Sequence, residues 1–260
     1  MARDDPAARD LSDADARALG PGAAHYTAFV GPPDEYDLMG ATQFRLLTAL
    51  GLRDHHRLLD FGCGSLRAGR LLILYLQRGH YHGLEPNAWL IEDAIARQLG
   101  RDLVGLKWPH FHAFTDFRAD RCGSDFDFIL AQSIFSHAGS DIVECALGGF
   151  RRALARSGLA LATFIHPGQG GVTESAASGW VYPGCIAYSP AAISAMIERS
   201  GLSGRALPWF HPRQTWYALA REPACLPPPG CDPHLRGAIL GVPAWQGGLQ
   251  PPSADRGCGE

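Results

Sequence analysis

Charge of one sign is in short supply in this chain: 23 Lys and Arg stand against 26 Asp and Glu over 260 residues, for a net charge of −3. With no basic field, nothing points to nucleic acid or to an anionic membrane surface as a partner. Long apolar runs are missing as well. The longest, such as 71–76, fall far short of the roughly 20 residues that span a bilayer. The opening stretch MARDDPAARDLSDADARALG is acidic and has no apolar segment of the secretory kind, so a cytoplasmic location is expected. The seven cysteines are scattered and odd in number, unlike a disulfide framework. Cys225, Cys231 and His234 lie close together in CLPPPGCDPH, but the second ligand pair of a zinc site is missing, and no metal is expected. There is no internal repeat.

What remains is an ordinary globular composition, 46% apolar and 19% charged, sufficient for a sizeable core. Residues 1–24, rich in Ala, Asp and Arg, read as a flexible lead-in with a short helix near 11–19. From 222 to 260 the chain turns rich in proline and glycine and reads as a tail, with Leu235–Val242 and Trp245 as apolar residues able to fold back. The domain is therefore expected over 25–221.

Within it, apolar runs alternate with helical periodicity. Strands are predicted at 57–61, 81–85, 111–114, 126–133 and 159–165. Helices are predicted over 66–78, closed by Gly79; over 87–100, capped by Asn87; over 141–158; and over 189–201. This alternation argues for a parallel sheet with helices on both faces. The end departs from it: RALPWF (205–210) and TWYALAR (215–221) flank the turn HPRQ and predict a hairpin, so the last strand should run antiparallel.

The stretch RLLDFGCGSLRAGRLLILYL (57–76) places Asp60, Gly62 and Gly64 between a strand and a helix. Ligands of open α/β sheets bind beyond the carboxyl ends of strands, and residues without a Cβ let a ligand pack on the backbone. A dinucleotide loop G-x-G-x-x-G needs a third glycine where Arg67 stands. Asp60, just before the glycines, would repel a pyrophosphate and suits a ligand with a positive end. Glu85 follows 25 residues later, ending the second strand, where it is placed to accept from ribose hydroxyls. Taken singly, Asp60 reads as a strand-end cap and Glu85 as a solvated turn acid; together they favour a cofactor.

LLDFGCGS, YHGLEPN and FDFILAQSIFSH, followed by the closing hairpin, resemble the class I S-adenosylmethionine-dependent methyltransferases over about 36–221. The resemblance implies a Rossmann-like, seven-stranded, mostly parallel sheet with an antiparallel last strand. It implies that Gly62, Cys63 and Gly64 lie against the methionine portion of S-adenosylmethionine and that Asp60 faces its amino end. Glu85 would hold the ribose, Pro86 and Asn87 would line the adenosine, Asp116 would accept from the adenine amino group with Phe117 against the ring, and Gln132 and Ser133 would border the sulfonium. The chain departs from the family where Leu66 replaces a frequent third glycine. The segment 34–52 is expected to pack over the cofactor, with Tyr36 or Gly40 near it.

Transfer to a hydroxyl requires a base, and His137 and His166, each following a strand end, are the candidates; a packing role is the alternative for both. The segment 166–190, with Trp180, Tyr182 and Tyr188, is either a lid with aromatic walls or a surface excursion. No N-P-P-Y-like motif follows FDFILA, so a small acceptor is expected, a secondary metabolite or glycan precursor methylated on oxygen or nitrogen. An NAD(P)-dependent oxidoreductase shares the early motif order, and a non-catalytic module that kept the fold is a third reading. No feature bears on oligomeric state.

Overall fold

The computed structural model describes residues 6–174 and 177–236. Seven strands form one sheet: β1 (Leu58–Phe61), β2 (Tyr81–Leu84), β3 (His110–His112), β4 (Phe126–Ala131), β5 (Leu154–Phe164), β6 (Ser203–Leu207) and β7 (Thr215–Ala220). Their order is β3-β2-β1-β4-β5-β7-β6. The first five are mutually parallel, and β7 inserts antiparallel between β5 and β6. The predicted hairpin is therefore the β6–β7 pair: its return strand β7 pairs with β5, and β6 forms the sheet edge.

Among the described residues seven α-helices accompany the strands: α1 (Tyr26–Phe29), α2 (Tyr36–Ala49), α3 (Gly69–Tyr75), α4 (Ala88–Ala94), α5 (Arg101–Lys107), α6 (Ser140–Ala153) and α7 (Pro190–Arg199). In α6 the buried residues Val143, Ala146, Leu147, Phe150 and Ala153 recur at three- and four-residue spacing, which gives the helix one apolar face. α7 starts on Ser189, whose hydroxyl accepts from the Ala192 N–H, with Pro190 in the first turn. One core packs Phe61, Phe135, Phe150 and Phe164 on the α6 and α7 face; the other packs Leu46, Leu47, Leu72, Ile73 and Trp216 on the α2 and α3 face.

Several boundaries differ from the sequence expectation. The helix predicted to 158 stops at Ala153, because Leu154 already pairs with Phe126 and the register shifts between Phe126 and Phe128. Sheet pairing overrides the helical pattern there. The helix predicted over 66–78 begins only at Gly69, since Leu66 adopts φ +56°. Asn87 does not cap α4; its side chain donates to Glu85 Oε1 at 2.7 Å instead. The helical span does end at Gly100 (φ +80°) as expected, but after Ala94 it continues as a π-helical turn over Ile95–Leu99, and the separate α5 follows.

Both flanks make specific contacts. Arg9 pairs with Asp93 of α4 at 3.0 Å, Arg97 donates to the Arg9 carbonyl at 2.7 Å, and Tyr26 donates to Asp13 at 2.6 Å. After β7, Asp232 accepts both bonds from Arg205, and Leu235 is buried. The rest of the expected apolar tail, including Trp245, lies outside the described residues. No described helix is long and apolar enough to cross a membrane.

Candidate cofactor and acceptor site

A cavity of about 910 Å³ opens at the carboxyl ends of β1, β2 and β4. The segment 29–32, α2 and the long connection after β5 wall its other sides. The glycine loop forms its floor. The N–H groups of Gly62 and Cys63 both donate to the Leu84 carbonyl, at 2.9 and 3.0 Å, which ties the loop to the end of β2. Gly62 has φ +77°, and a Cβ there would lie 2.1 Å from Ile134 Cδ1, so the position demands glycine for both reasons. Leu66, where the third glycine is often found, also sits in the left-handed region, with its side chain wholly buried.

Two acids face this loop. Asp60 is 4% exposed and accepts from the Tyr81 hydroxyl at 2.8 Å. Burial pushes its carboxyl up to about 7, against the lowering effect of the Tyr81 hydrogen bond. Glu85 is 8% exposed, which removes the solvated-turn reading. Its Oε1 accepts from both Asn87 nitrogens, at 2.8 Å from the backbone and 2.7 Å from the side chain, and its Oε2 accepts from the Gly64 N–H at 3.2 Å. Burial raises this carboxyl too, opposed by those hydrogen bonds.

Of the residues singled out from the sequence, Asp60, Gly62, Cys63, Gly64, Glu85, Pro86, Asn87, Phe117, Gln132, Ser133 and His137 line the cavity. Cys63 does so through the loop, its residue 5% exposed. Asp116 does not line it. Phe117 takes φ +56°, Thr115 and Phe117 border the cavity, and the Asp116 carboxylate is engaged by Arg121 outside. His166 does not line it either: its Nε2 pairs with the Tyr217 hydroxyl at 2.9 Å and its backbone N–H donates to Gln169.

The two histidines therefore part company. His137 Nδ1 lies 2.6 Å from the Gly184 carbonyl oxygen, an acceptor only, so Nδ1 carries the proton and Nε2 keeps its lone pair. Burial lowers its pKa, with the Gly184 bond opposing, which favours the neutral ring. Around it stand Trp180 and Tyr182, stacked on each other at 6.3 Å and both edge-on to the imidazole. Phe117 lies 5.5 Å from Trp180 and Phe29 lies 5.3 Å from Tyr182, which completes an aromatic wall. The connection carrying Trp180 and Tyr182 is not a loose excursion: the Val181 and Ile186 N–H groups donate to the His137 and Ser136 carbonyls, at 2.9 and 2.8 Å. The Tyr182 hydroxyl donates to the Phe29 carbonyl, joining this connection to the segment on the other side of the cavity. Tyr36 and Gly40, expected near the cofactor, do not line the cavity; the Tyr36 hydroxyl donates to the Ser65 carbonyl at 2.7 Å.

The donor set fits a polar ligand with an adenosine and an amino-acid end. Among the described residues, Gln43 Oε1, Gln132 Oε1, Ser136 Oγ and Gln214 Oε1 are buried on cavity-lining residues without a hydrogen-bond partner. His211 sharpens one of these. Its Nδ1 accepts from the Arg213 and Gln214 N–H groups, at 3.1 and 3.0 Å, so its Nε2 bears the proton and faces the Gln132 amide at 3.3 Å. The amide satisfies that proton only with Oε1 turned to His211, which leaves its NH₂ for the cavity. Sequence reasoning missed Arg67, Gln43, Arg213 and Gln214 as lining residues; only Arg67, beside the glycine loop, carried a positional signal.

Residues 59–160 match a family model described as a methyltransferase domain. No curated protein matches the chain. Among solved structures it is similar to the CcbJ methyltransferase from Streptomyces caelestis, at 14% identity over 80% of this chain and 95% of that one, TM-score 0.58. It is also similar to magnesium protoporphyrin IX methyltransferase (ChlM) from Synechocystis PCC 6803 with bound SAH, at 13% identity over 72% and 84%, TM-score 0.52. A third is the O-methyltransferase NcsB1 from neocarzinostatin biosynthesis, in complex with S-adenosyl-L-homocysteine and 1,4-dihydroxy-2-naphthoic acid, at 18% identity over 72% and 54%, TM-score 0.52. At such identities these structures speak for the fold, while the family match and the antiparallel β7 set the oxidoreductase reading aside. The methyltransferase-domain match over residues 59–160 and the β3-β2-β1-β4-β5-β7-β6 order support a Rossmann-like, S-adenosylmethionine-dependent methyltransferase.

Proposed function

We propose that the chain methylates a hydroxyl group of a small aromatic acceptor, with His137 as the general base. The observation that carries this reading is the His137 imidazole, fixed by Gly184 with Nε2 unprotonated, inside a wall of Phe29, Phe117, Trp180 and Tyr182. Offset and edge-on rings favour a flat aromatic guest over a flexible polar one. The lack of a basic field on the chain agrees with a small acceptor rather than a nucleic acid.

In this reading Glu85 accepts from the ribose hydroxyls, Asp60 faces the amino end, and the backbone of Gly62–Gly64 lies along the methionine portion. Pro86, Asn87 and Phe117 border the adenosine, and Gln132 and Ser133 border the reacting centre. When bound, the cofactor supplies an activated methyl group whose transfer leaves a neutral thioether. His137 Nε2 receives the proton that the acceptor hydroxyl loses as its oxygen is methylated, and Gly184 holds the resulting imidazolium. Orientation inside the closed cavity supplies most of the remaining acceleration.

An acceptor screen of phenols, naphthols and saturated alcohols, read by S-adenosylhomocysteine release, tests the substrate class; turnover confined to saturated alcohols or amines overturns it. On the best acceptor, His137→Gln should lower kcat about 10²–10⁴-fold, the usual worth of a positioned base. His166→Gln should stay within a few-fold of wild type. The opposite ranking would move the base to His166.

A further inference from the structure

The carboxyl end of β4 carries a set of cavity groups distinct from the glycine loop. Ser133 takes φ +60°, a strained conformation for a residue with a Cβ, and its backbone N–H donates to Thr163 Oγ1 at 2.8 Å. Its hydroxyl accepts from the Gln214 side chain, on the β6–β7 connection, at 2.8 Å. The Gln214 backbone N–H donates to His211 Nδ1, and Nε2 of that ring faces Gln132. Gln132, Ser133 and Gln214 therefore form one cluster, tied together through His211. Ser136 stands three residues beyond Ser133 and directly before His137. Gln132, Ser133, Ser136 and Gln214 all line the cavity.

This cluster holds more hydrogen-bonding groups than it uses. Ser136 is wholly buried and its Oγ has no partner among the described residues, nor has Gln214 Oε1. The Gln132 NH₂ is left over once its oxygen turns to the His211 proton. Buried polar groups left unpaired are costly, so three of them on one wall point to a ligand group that pairs with them. That group need not be charged. Burial takes His211 down to about 3 and keeps it neutral, and the adjacent Arg213 gives both terminal nitrogens to Glu35, at 3.0 and 2.6 Å. The cluster offers a donor, the Gln132 NH₂, beside two acceptors, Gln214 Oε1 and Ser136 Oγ. A hydroxyl both donates and accepts and suits this set, whereas a carboxylate only accepts.

We propose that Gln132, Ser136 and Gln214 recognise a second, uncharged hydroxyl on the acceptor, ortho to the one that is methylated, so that the substrate class is the aromatic vicinal diols. This rests on His137 acting as base toward an aromatic hydroxyl, as proposed above. The ortho position follows from the chain itself: Ser136 directly precedes His137, and Gln132 and Ser133 border the reacting centre. A group held by this cluster therefore lies beside the reacting oxygen. Gln214 and Ser136 are the specificity-determining residues, and each meets the acceptor rather than the cofactor.

Steady-state kinetics of the purified full chain with phenol, resorcinol, catechol and salicylate, read by S-adenosylhomocysteine release, test this directly. Wild type should prefer catechol over resorcinol, which has the same two hydroxyls further apart, by roughly 10–100-fold in kcat/KM, the worth of buried hydrogen bonds made or left unpaired. Salicylate should do no better than phenol. In Gln214→Leu the preference for catechol should shrink to within about threefold, while the affinity for S-adenosylhomocysteine, read by titration calorimetry, stays within about threefold of wild type. Ser136→Ala should lose part of the preference. A merely structural role would lower turnover of catechol and resorcinol together and leave their ratio unmoved. Equal kcat/KM for the two diols in wild type, or a preference for salicylate, overturns the proposal without reference to any variant. An undiminished ratio in a folded Gln214→Leu, checked by thermal melting, overturns it as well. No turnover of any of the four by a chain that binds S-adenosylhomocysteine would defeat the aromatic-hydroxyl reading itself, and this proposal with it.

Discussion

Glu85 Oε2 accepts the Gly64 N–H at 3.2 Å, while Oε1 of the same carboxylate holds both nitrogens of Asn87. One buried acid at the end of β2 thus latches the glycine loop on one side and the start of α4 on the other. A ribose held there would be positioned by the same group that fixes the loop beneath it.

Replacing Glu85 by Ala should therefore weaken S-adenosylhomocysteine binding by about 10²-fold, since each hydrogen bond to a charged acceptor contributes about 1.5–3 kcal/mol. Glu85→Gln, which keeps the shape and loses the charge, should fall between the two. Titration calorimetry reads both, and a Kd for the Ala variant within threefold of wild type would remove Glu85 from the site.

Gly62→Ala should destabilise the fold by about 1–3 kcal/mol, from the left-handed backbone and the overlap with Ile134. The nearest atom is the tip of a flexible side chain, so Ile134→Ala in the same background should recover the steric part and leave the backbone part. Urea unfolding measures the two contributions; no recovery would mean that the backbone carries the whole effect.

Asp60 should oppose stability at neutral pH. Its ordinary pKa is 3.8, and burial raises it to about 7 in the folded chain. A carboxyl raised on folding contributes stability below pH 3.8 that is lost as the pH climbs through about 7. Asp60→Asn should then stabilise the empty protein above pH 7, by about 1–2 kcal/mol, while weakening cofactor binding. A variant less stable than wild type at pH 8 would show that the charged form is compensated in the fold.

Acid should destabilise the protein overall. Burial, followed by the charge of His110, drives His82 down to about 3, and burial, followed by Arg213, does the same to His211; burial also lowers His112. Histidines depressed on folding give stability that is present above their ordinary 6.5 and is lost as the pH falls towards 3. Each contributes a slope of at most about 1.4 kcal/mol per pH unit, so several outweigh the opposite slope of Asp60. The His82 ring stacks between His110, at 4.6 Å, and His112, at 5.7 Å, and His82→Phe should flatten the loss. Urea midpoints between pH 7 and 4 that rise on acidification would contradict this.

The sequence by itself determined the order of strands and helices, the placement of Asp60 and Glu85 at two strand ends around a glycine loop, and the closing hairpin. These are local matters: apolar runs, left-handed turns and the spacing between adjacent elements are all written within a few tens of residues. It did not determine where side chains point once elements pack. Asp116 faces Arg121 outside the cavity because Phe117 turns the backbone there, and His166 is taken by Tyr217 across the β5–β7 pair. Helix 141–158 lost its last turn to pairing between Leu154 and Phe126. Arg67, a missing glycine when read along the chain, comes to border the cavity through its bond to the Val30 carbonyl and the close approach of its own carbonyl to Gly40. Those contacts join residues some 25 to 40 positions apart, and only tertiary packing brings them together.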